Sequence, residues 1–216
     1  MIVEQLSSGH NRCLLFFVGW GMDARPFKRI GAEGFDLFIA CDYRLLDAGL
    51  SVLKSYDEVH IVAWSMGVWA ASVVLQGIDI TSATAINGTE LPVNDDYGIP
   101  VQIARGTLDT LTPETLARFN RRMCASAEVL AGFNAVAPQR SVDELKEELA
   151  AIYRQAETTP QSPLVWNKAL IGRGDRIFPV ANQERFWMEK RGVETQVLDA
   201  PHYPFYLWNK WSEIVG

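Results

Sequence analysis

The sequence predicts an α/β protein in which a mostly parallel β-sheet carries helices on both faces. Short apolar runs typical of buried strands alternate with segments of helical spacing along most of the chain. Repeated strand–helix units of this kind pair their strands in parallel and place helices over both faces of the sheet. The 216 residues, 48% of them apolar, suffice for one sizeable core, so a single domain over residues 1–216 is expected.

The composition of the chain disfavours some classes of binding partner and some cellular compartments. The formal net charge of −6 at pH 7 disfavours binding to nucleic acid or to an anionic membrane, because those partners require a positive field. No apolar run has the length of a membrane span and residues 1–5 do not resemble a secretory leader, so a soluble cytoplasmic protein is expected. Cys13, Cys41 and Cys124 lack metal-ligand spacing, which predicts buried reduced thiols rather than disulfides or a metal site.

The first half of the chain alternates strands and helices. Residues 45–53 have helical spacing, and a second helix follows Ser65 and ends near Gly77. Predicted strands cover residues 12–18, 36–40, 58–63 and 82–86.

A helical insertion interrupts the alternation. It follows residues 101–104, a further predicted strand, and residues 112–157 then carry two or three helical patterns with no strand between them. Thr112 before Pro113 is placed as an N-cap, and Ser141 begins a capping box. We expect this insertion to form a lid, whose apolar faces either roof a site or pack on each other and on the sheet.

The alternation resumes in the last quarter of the chain. The predicted elements are a loop at 158–163, a strand at 167–172, a helix at 179–190, a strand at 195–198 and a terminal helix at 205–215.

Ser65 is the candidate nucleophile. Ala63-Trp-Ser-Met-Gly67 departs at one position from the G-x-S-x-G elbow, in which a strand turns sharply into a helix and exposes the serine above a sheet. Alanine replaces the first glycine and adds one methyl group. The alternative is a buried strand followed by an ordinary helix that has a serine at its N-cap.

A serine hydroxyl needs a base and an acid to become nucleophilic. His202 follows the last predicted strand, where active-site groups of open parallel sheets collect, whereas His10 and His60 lie at structural or surface positions. Asp175 follows the preceding strand and gives the chain order serine, acid, histidine that α/β-hydrolases have. Asp109 and Asp199 are competing acids, and a turn aspartate is the structural alternative for Asp175.

Two backbone N–H groups are candidates for an oxyanion hole. Met66 directly follows the serine, and Trp20 lies between two glycines in a loop after the first long predicted strand. A plain strand-to-helix turn is the alternative for that loop. Trp64 either forms pocket wall beside the serine or packs in the core.

The chain resembles the BioG family of biotin-synthesis esterases. The motifs that carry the resemblance are Gly19-Trp-Gly-Met-Asp23, Ala63-Trp-Ser-Met-Gly67, Gly172-Arg-Gly-Asp175 and Pro201-His-Tyr-Pro-Phe205. The resemblance implies a small α/β-hydrolase that removes the methyl group from pimeloyl-acyl-carrier-protein methyl ester. It implies a triad of Ser65, Asp175 and His202 with Trp20 and Met66 as oxyanion donors, and no metal or organic cofactor.

An acidic enzyme needs a local basic surface to dock an acidic acyl carrier protein. Arg118, Arg121 and Arg122 fall along one side of a predicted lid helix and are candidates for it; a solvated helix face is the alternative. Two rival functions remain open from the sequence. One is another acyl hydrolase, such as a thioesterase or broad short-chain carboxylesterase, and the other is a non-catalytic binding protein of the same fold.

Overall fold

One seven-stranded sheet organises the part of the chain that the structure describes. The computed structural model describes residues 1–47, 49–159 and 164–215. The strands are β1 (Ile2–Gln5), β2 (Arg12–Phe17), β3 (Asp36–Cys41), β4 (Glu58–Trp64), β5 (Ser82–Ile86), β6 (Lys168–Gly172) and β7 (Glu194–Leu198). Their order is β1-β3-β2-β4-β5-β6-β7, and all neighbours pair in parallel except β1 with β3. The predicted α/β architecture is therefore confirmed.

The central strands are apolar on both faces because the sheet is covered on both sides. Along β2, Cys13, Leu15 and Phe17 pack into one hydrophobic cluster, while Leu14 and Phe16 pack into the cluster on the opposite face. Each fully buried side chain of this size stabilises the fold by about 1.5–3 kcal/mol. The strands that carry the site are thus fixed by two cores at once.

The helices fall into two groups. α1 (Met66–Val74) and α6 (Val180–Glu189) follow β4 and β6. The other four, α2 (Val101–Asp109), α3 (Pro113–Cys124), α4 (Ala127–Ala135) and α5 (Val142–Thr158), all lie between β5 and β6. Thr112 and Ser141 close capping boxes at the starts of α3 and α5, as the sequence predicted.

The strand predicted at residues 101–104 was wrong, because this segment is the first turn of α2. Its apolar–polar alternation is too short to separate a strand from a helix. Pro100 stands at the N-cap, and Ala104 and the half-buried Leu108 lie four residues apart on the face of α2 that packs on the core. The helical segment therefore begins before residue 112.

Two further predicted helices are not α-helices. Residues 45–53 contribute only to a 3-10 helix over Leu50–Ser55, and Leu45 is exposed. Residues 205–215 hold two short 3-10 helices, Phe205–Leu207 and Trp211–Glu213, because the backbone between them bonds to a distant loop. The Gly31 N–H donates to the Asn209 carbonyl, and the Trp211 N–H donates to the Gly31 carbonyl.

The structure also differs from the sequence-based prediction at the edge of the sheet. The edge strand β1 was missed, since it is only four residues long and mostly exposed. The loop predicted at 158–163 lies largely outside the described residues. All three cysteines are free and buried, and burial raises the pKa of each thiol to about 12. Among the described residues no helix is long and apolar enough to cross a membrane.

Candidate active site

Ser65 occupies the sharp turn between β4 and α1. Its φ of 57° and ψ of −126° are values that residues with a Cβ rarely adopt. Two glycines make room for the turn. A Cβ on Gly67 would lie 2.4 Å from the Phe17 carbonyl oxygen, and a Cβ on Gly88 would lie 2.4 Å from the Ser65 carbonyl oxygen. Ala63, in place of the elbow's first glycine, is fully buried within β4.

Three side chains from separate loops form one hydrogen-bonded series. His202 Nε2 lies 3.0 Å from Ser65 Oγ, and His202 Nδ1 lies 2.7 Å from Asp175 Oδ2. His202 is 2% exposed and Ser65 is 5% exposed, so the series is shielded from bulk water. Since a carboxylate only accepts hydrogen bonds, Asp175 keeps the proton on Nδ1 and leaves Nε2 free to accept the serine proton.

The Asp175 carboxylate is held on both oxygens. Oδ1 accepts hydrogen bonds from the Ile177 and Phe178 backbone N–H groups at 2.8 and 2.9 Å. Oδ2 accepts from Gln183 Nε2 at 3.1 Å as well as from His202. With both oxygens occupied, the carboxylate has one orientation relative to the imidazole.

The side chains of Trp64 and Asn87 hold the backbone of the loop that carries His202. The His202 carbonyl accepts hydrogen bonds from Trp64 Nε1 at 2.8 Å and from Asn87 Nδ2 at 3.0 Å. Asn87 Nδ2 also donates to the Pro201 carbonyl, and Asn87 Oδ1 accepts the Gly172 N–H at 2.6 Å. One asparagine at the end of β5 therefore ties the loop of His202 to the end of the strand that leads to Asp175.

The sequence reasoning missed Asn87 and Gln183. Asn87 has a left-handed φ of 46° and precedes Gly88, and an Asn-Gly pair directly after a buried strand was a usable signal for a special backbone position. Gln183 lies fully buried in α6, and nothing in its local sequence distinguishes it.

The loop after β2 carries Trp20 beside the serine. A Cβ on Gly19 would lie 3.0 Å from the Trp64 ring and 3.3 Å from Ser65 Cβ, so the loop backbone passes close to the turn that holds the serine. Neither the Trp20 N–H nor the Met66 N–H donates to another described residue. Met66 is the first residue of α1, whose opening N–H groups have no acceptor within the helix.

A cleft opens over these groups, with about 560 Å³ of unfilled space when the part open to solvent is included. Ser65, His202, Trp20 and Met66 all line it. Its remaining wall is mostly apolar and includes Ile99, Ile103, Phe119, Met123, Leu149 and Tyr153, which come from α2, α3, α5 and the segment before α2. The undersides of α2, α3 and α5 therefore cover the site.

Trp64 both forms part of the pocket wall and packs in the core, which are the two roles that the sequence left open. Its ring lines the cleft, yet it is 1% exposed and packs edge-on against Phe27 and Phe205. Its indole N–H is used by the His202 carbonyl, so the residue supports the loop of the histidine more than it presents a surface to a ligand.

Arg118, Arg121 and Arg122, the candidate carrier-protein contacts, are all exposed on α3. Arg122 lines the cleft, whereas Arg118 and Arg121 do not. Arg176, which the sequence analysis did not single out, is exposed and lines the same cleft from the loop after β6. Two arginine residues thus line the cleft, one from α3 and one from the loop after β6.

The competing candidates lie elsewhere. Asp199 is 92% exposed and pairs with Arg173 at 3.8 Å, and Asp109 is exposed at the end of α2. His10 forms a hydrogen bond with Asp36. His60 forms one with Ser82 near the start of β4, whereas Ser65 follows the end of that strand. Within the described ranges no group of three or more His, Cys, Asp or Glu side chains is placed to hold a metal ion.

Comparison with known proteins places the chain among related sequences. Residues 1–214 match the model of a family described as pimeloyl-ACP methyl esterase BioG. The chain is 50% identical over 192 residues to a malonyl-[acyl-carrier protein] O-methyltransferase of Bacteroides fragilis, which covers 88% of this chain but only 39% of that protein. It is 38% identical over 203 residues to an uncharacterised protein of Haemophilus influenzae, covering 93% of each.

Solved structures give the same family and fold. The crystal structure of BioG from Haemophilus influenzae superposes with a TM-score of 0.93 at 35% identity, covering 100% of both chains. An esterase from Exiguobacterium antarcticum superposes with a TM-score of 0.69 at 16% identity, covering 94% of this chain and 88% of that one. At 16% identity, this structural similarity shows only that the two chains share the α/β-hydrolase fold.

Proposed function

The chain belongs to the BioG family of pimeloyl-ACP methyl esterases, and we propose that it hydrolyses the methyl ester of a pimeloyl group carried by acyl carrier protein. The products are methanol and a carrier-bound pimeloyl group with a free carboxylate. The observation that carries this proposal is the hydrogen-bonded series of Ser65, His202 and Asp175 at the base of an apolar cleft.

In the acylation half-reaction, His202 Nε2 takes the proton of Ser65 while Oγ attacks the ester carbonyl carbon. The carbonyl oxygen gains negative charge, which the N–H groups of Trp20 and Met66 stabilise. When the tetrahedral intermediate collapses, its bond to the methoxy oxygen breaks, and this oxygen takes the proton from His202 and leaves as methanol.

In the deacylation half-reaction, water replaces methanol beside His202. The imidazole removes a proton from the water, the resulting oxygen attacks the acyl carbonyl, and Ser65 Oγ leaves with the proton from His202. Asp175 stays ionised throughout and stabilises the imidazolium. Each oxyanion donor in such a site contributes about 10²–10³-fold to the rate, so both N–H groups carry a large share of the catalysis.

The helical insertion supplies the rest of the substrate site in this proposal. We take residues 112–157, together with α2, as a lid whose apolar underside contacts the pimeloyl chain. Arg122 and Arg176 on the cleft wall, with Arg118 and Arg121 further along α3, form a local basic surface on a protein of net charge −6. Such a surface suits an acidic carrier protein and would raise its rate of association.

The name of the Bacteroides relative does not change the proposal. That name describes a protein of which this chain matches 39%, so its methyltransferase activity belongs to the whole of a longer protein. In this chain Ser65, His202 and Asp175 lie in series, an arrangement that suits hydrolysis of an ester.

Two experiments separate this function from its rivals. A fluorophosphonate probe labels only an activated serine, so wild-type labelling and the loss of labelling in Ser65→Ala are expected; an unlabelled wild-type protein would mean a binding protein of the same fold. Methanol and free thiol are then measured together during turnover of methyl pimeloyl carrier protein. We expect methanol release with the thioester intact, and thiol release alone would identify a thioesterase.

Growth provides a test in cells. Expression of the wild-type chain should rescue a biotin auxotroph that lacks its own methyl esterase, and Ser65→Ala should not. Failure of the soluble wild-type protein to rescue growth would favour a broad short-chain carboxylesterase.

A further inference from the structure

We propose that Glu148, on α5, positions the loop of residues 19–21 and with it the backbone N–H of Trp20. This inference rests on the proposed role of that N–H as an oxyanion donor. Glu148 does not touch the cleft, so it would act through the loop as a positioning residue.

Two hydrogen bonds fasten the loop to α5, one from the side chain of Trp20 and one from the next backbone N–H along the chain. The Trp20 indole Nε1 donates to the Leu145 carbonyl at 2.8 Å, and the Gly21 N–H donates to Glu148 Oε2 at 3.2 Å. Leu145 and Glu148 are three residues apart and therefore lie on the same face of α5. The position of the Trp20 peptide is thus set by a helix of the insertion rather than by the sheet alone.

The loop has little room to shift relative to α5. Gly21 has a left-handed φ of 78°, and a Cβ at this position would lie 3.2 Å from Leu145 Cδ2. On the opposite side, Gly19 packs directly against the Trp64 ring. A displacement of α5 at Glu148 would therefore move the peptide between these two glycines.

Glu148 is itself held by three donors. Oε1 accepts the Tyr43 N–H at 3.0 Å, and Oε2 accepts Arg140 Nη1 at 2.6 Å in addition to the Gly21 N–H. The side chain is 1% exposed. Burial raises the pKa of Glu148, although Arg140 and the backbone donors act in the opposite direction.

The test uses Glu148→Gln with Glu147→Gln as its matched control. Glutamine keeps the shape but replaces one acceptor oxygen with an NH₂ donor. Depending on the orientation of the amide, either the Tyr43 N–H loses its acceptor or the Gly21 N–H and Arg140 both lose theirs. Glu147 is the neighbouring residue on α5, has a side chain that is 65% exposed and pairs with Arg44 rather than with residues 19–21. With a p-nitrophenyl ester, we expect E148Q to lower kcat about tenfold or more with KM nearly unchanged, and E147Q to leave both constants unchanged.

A boronic acid inhibitor distinguishes positioning from a general structural role. Its serine adduct is tetrahedral and places an oxygen in the oxyanion site, so its Ki should rise in E148Q by the same factor by which kcat falls. Glu148→Asp keeps the charge beside Arg140 but shortens the side chain by one methylene, which moves the carboxylate away from the loop. If E148Q does not fold, the same two measurements on Glu148→Asp test the proposal. Unchanged kcat in a folded variant, or a fall in kcat with unchanged boronate affinity, would overturn the proposal. Retained hydrolysis by Ser65→Ala would instead refute the serine mechanism itself.

Discussion

Replacing Asn87 should weaken both the fold and the candidate site, because one side chain holds two loops. In Asn87→Ala, the buried Gly172 N–H loses its acceptor, which costs about 1–3 kcal/mol. The Pro201 and His202 carbonyls each lose a donor, at about 1 kcal/mol apiece. Alanine at a φ of 46° adds about 1 kcal/mol of backbone strain. The free energy of unfolding should therefore fall by about 4–6 kcal/mol.

Activity should fall in the same variant for a separate reason. The carbonyl that Asn87 anchors belongs to His202, and the strand end that it anchors leads to Asp175. A misplacement of about 1 Å between reacting groups typically costs about 10²-fold in rate. We expect kcat for a p-nitrophenyl ester to fall tenfold to a hundredfold at a temperature where the variant remains folded.

Urea unfolding and steady-state kinetics measure the two effects. Asn87→Gly removes the same hydrogen bonds but tolerates the left-handed backbone, so it should be about 1 kcal/mol more stable than Asn87→Ala. Asn11→Ala, at an exposed asparagine that bonds only to Asp57, is the control and should be nearly neutral. An Asn87→Ala variant with the wild-type urea midpoint and wild-type kcat would refute the anchoring role.

Three further changes have definite expected outcomes. Asp175→Asn should lower kcat by roughly 10⁴-fold, because an amide that donates to His202 selects the wrong tautomer. Gly88→Ala should destabilise the fold by about 1–3 kcal/mol, since its Cβ would meet the Ser65 carbonyl oxygen at 2.4 Å. Reversing charge with Arg118→Glu and Arg121→Glu should raise KM for the carrier-bound ester, most strongly at low salt, and change KM for a free methyl ester much less.

Each change has a control on the same chain. Asp199→Asn alters an exposed aspartate beside the same loop and should retain activity. Gly132→Ala in α4 has open space around the added Cβ and should stabilise the helix by about 0.5–1 kcal/mol. Lys146→Glu, on α5, makes the same charge change as either arginine reversal taken singly and should not affect carrier-dependent KM. A carrier effect of equal size in Lys146→Glu would show that only net charge matters.

The sequence predicted those parts of the fold and site that depend on short-range patterns. The run of residues 58–63, the serine and the small residues beside it predict a strand, a turn and a helix within one segment. Asp175 and His202 could be proposed because chain order alone places both at the carboxyl ends of parallel strands. Their hydrogen bonding to each other and to the serine is a matter of geometry that only the folded chain supplies.

The features that the sequence did not predict depend on contacts between residues that are far apart in the chain. Asn87 reaches groups that are 85 to 115 residues away, and the Gly21 N–H bonds to a carboxylate 127 residues away. Residues 205–215 have helical spacing but bond to Gly31, so tertiary pairing overrides the local pattern. Residues 101–104 are too few for their periodicity to decide between strand and helix.

The most direct measurement of the central claim is the mass of the protein after a rapid acid quench during turnover of methyl pimeloyl carrier protein. Attack by Ser65 on the methyl ester predicts a covalent adduct in which the peptide containing Ser65 bears the pimeloyl group with the carrier still attached, and no adduct in Ser65→Ala. An adduct that bears a methyl pimeloyl group without the carrier would show attack on the thioester instead. Methyl ester hydrolysis by Ser65→Ala would contradict the account altogether.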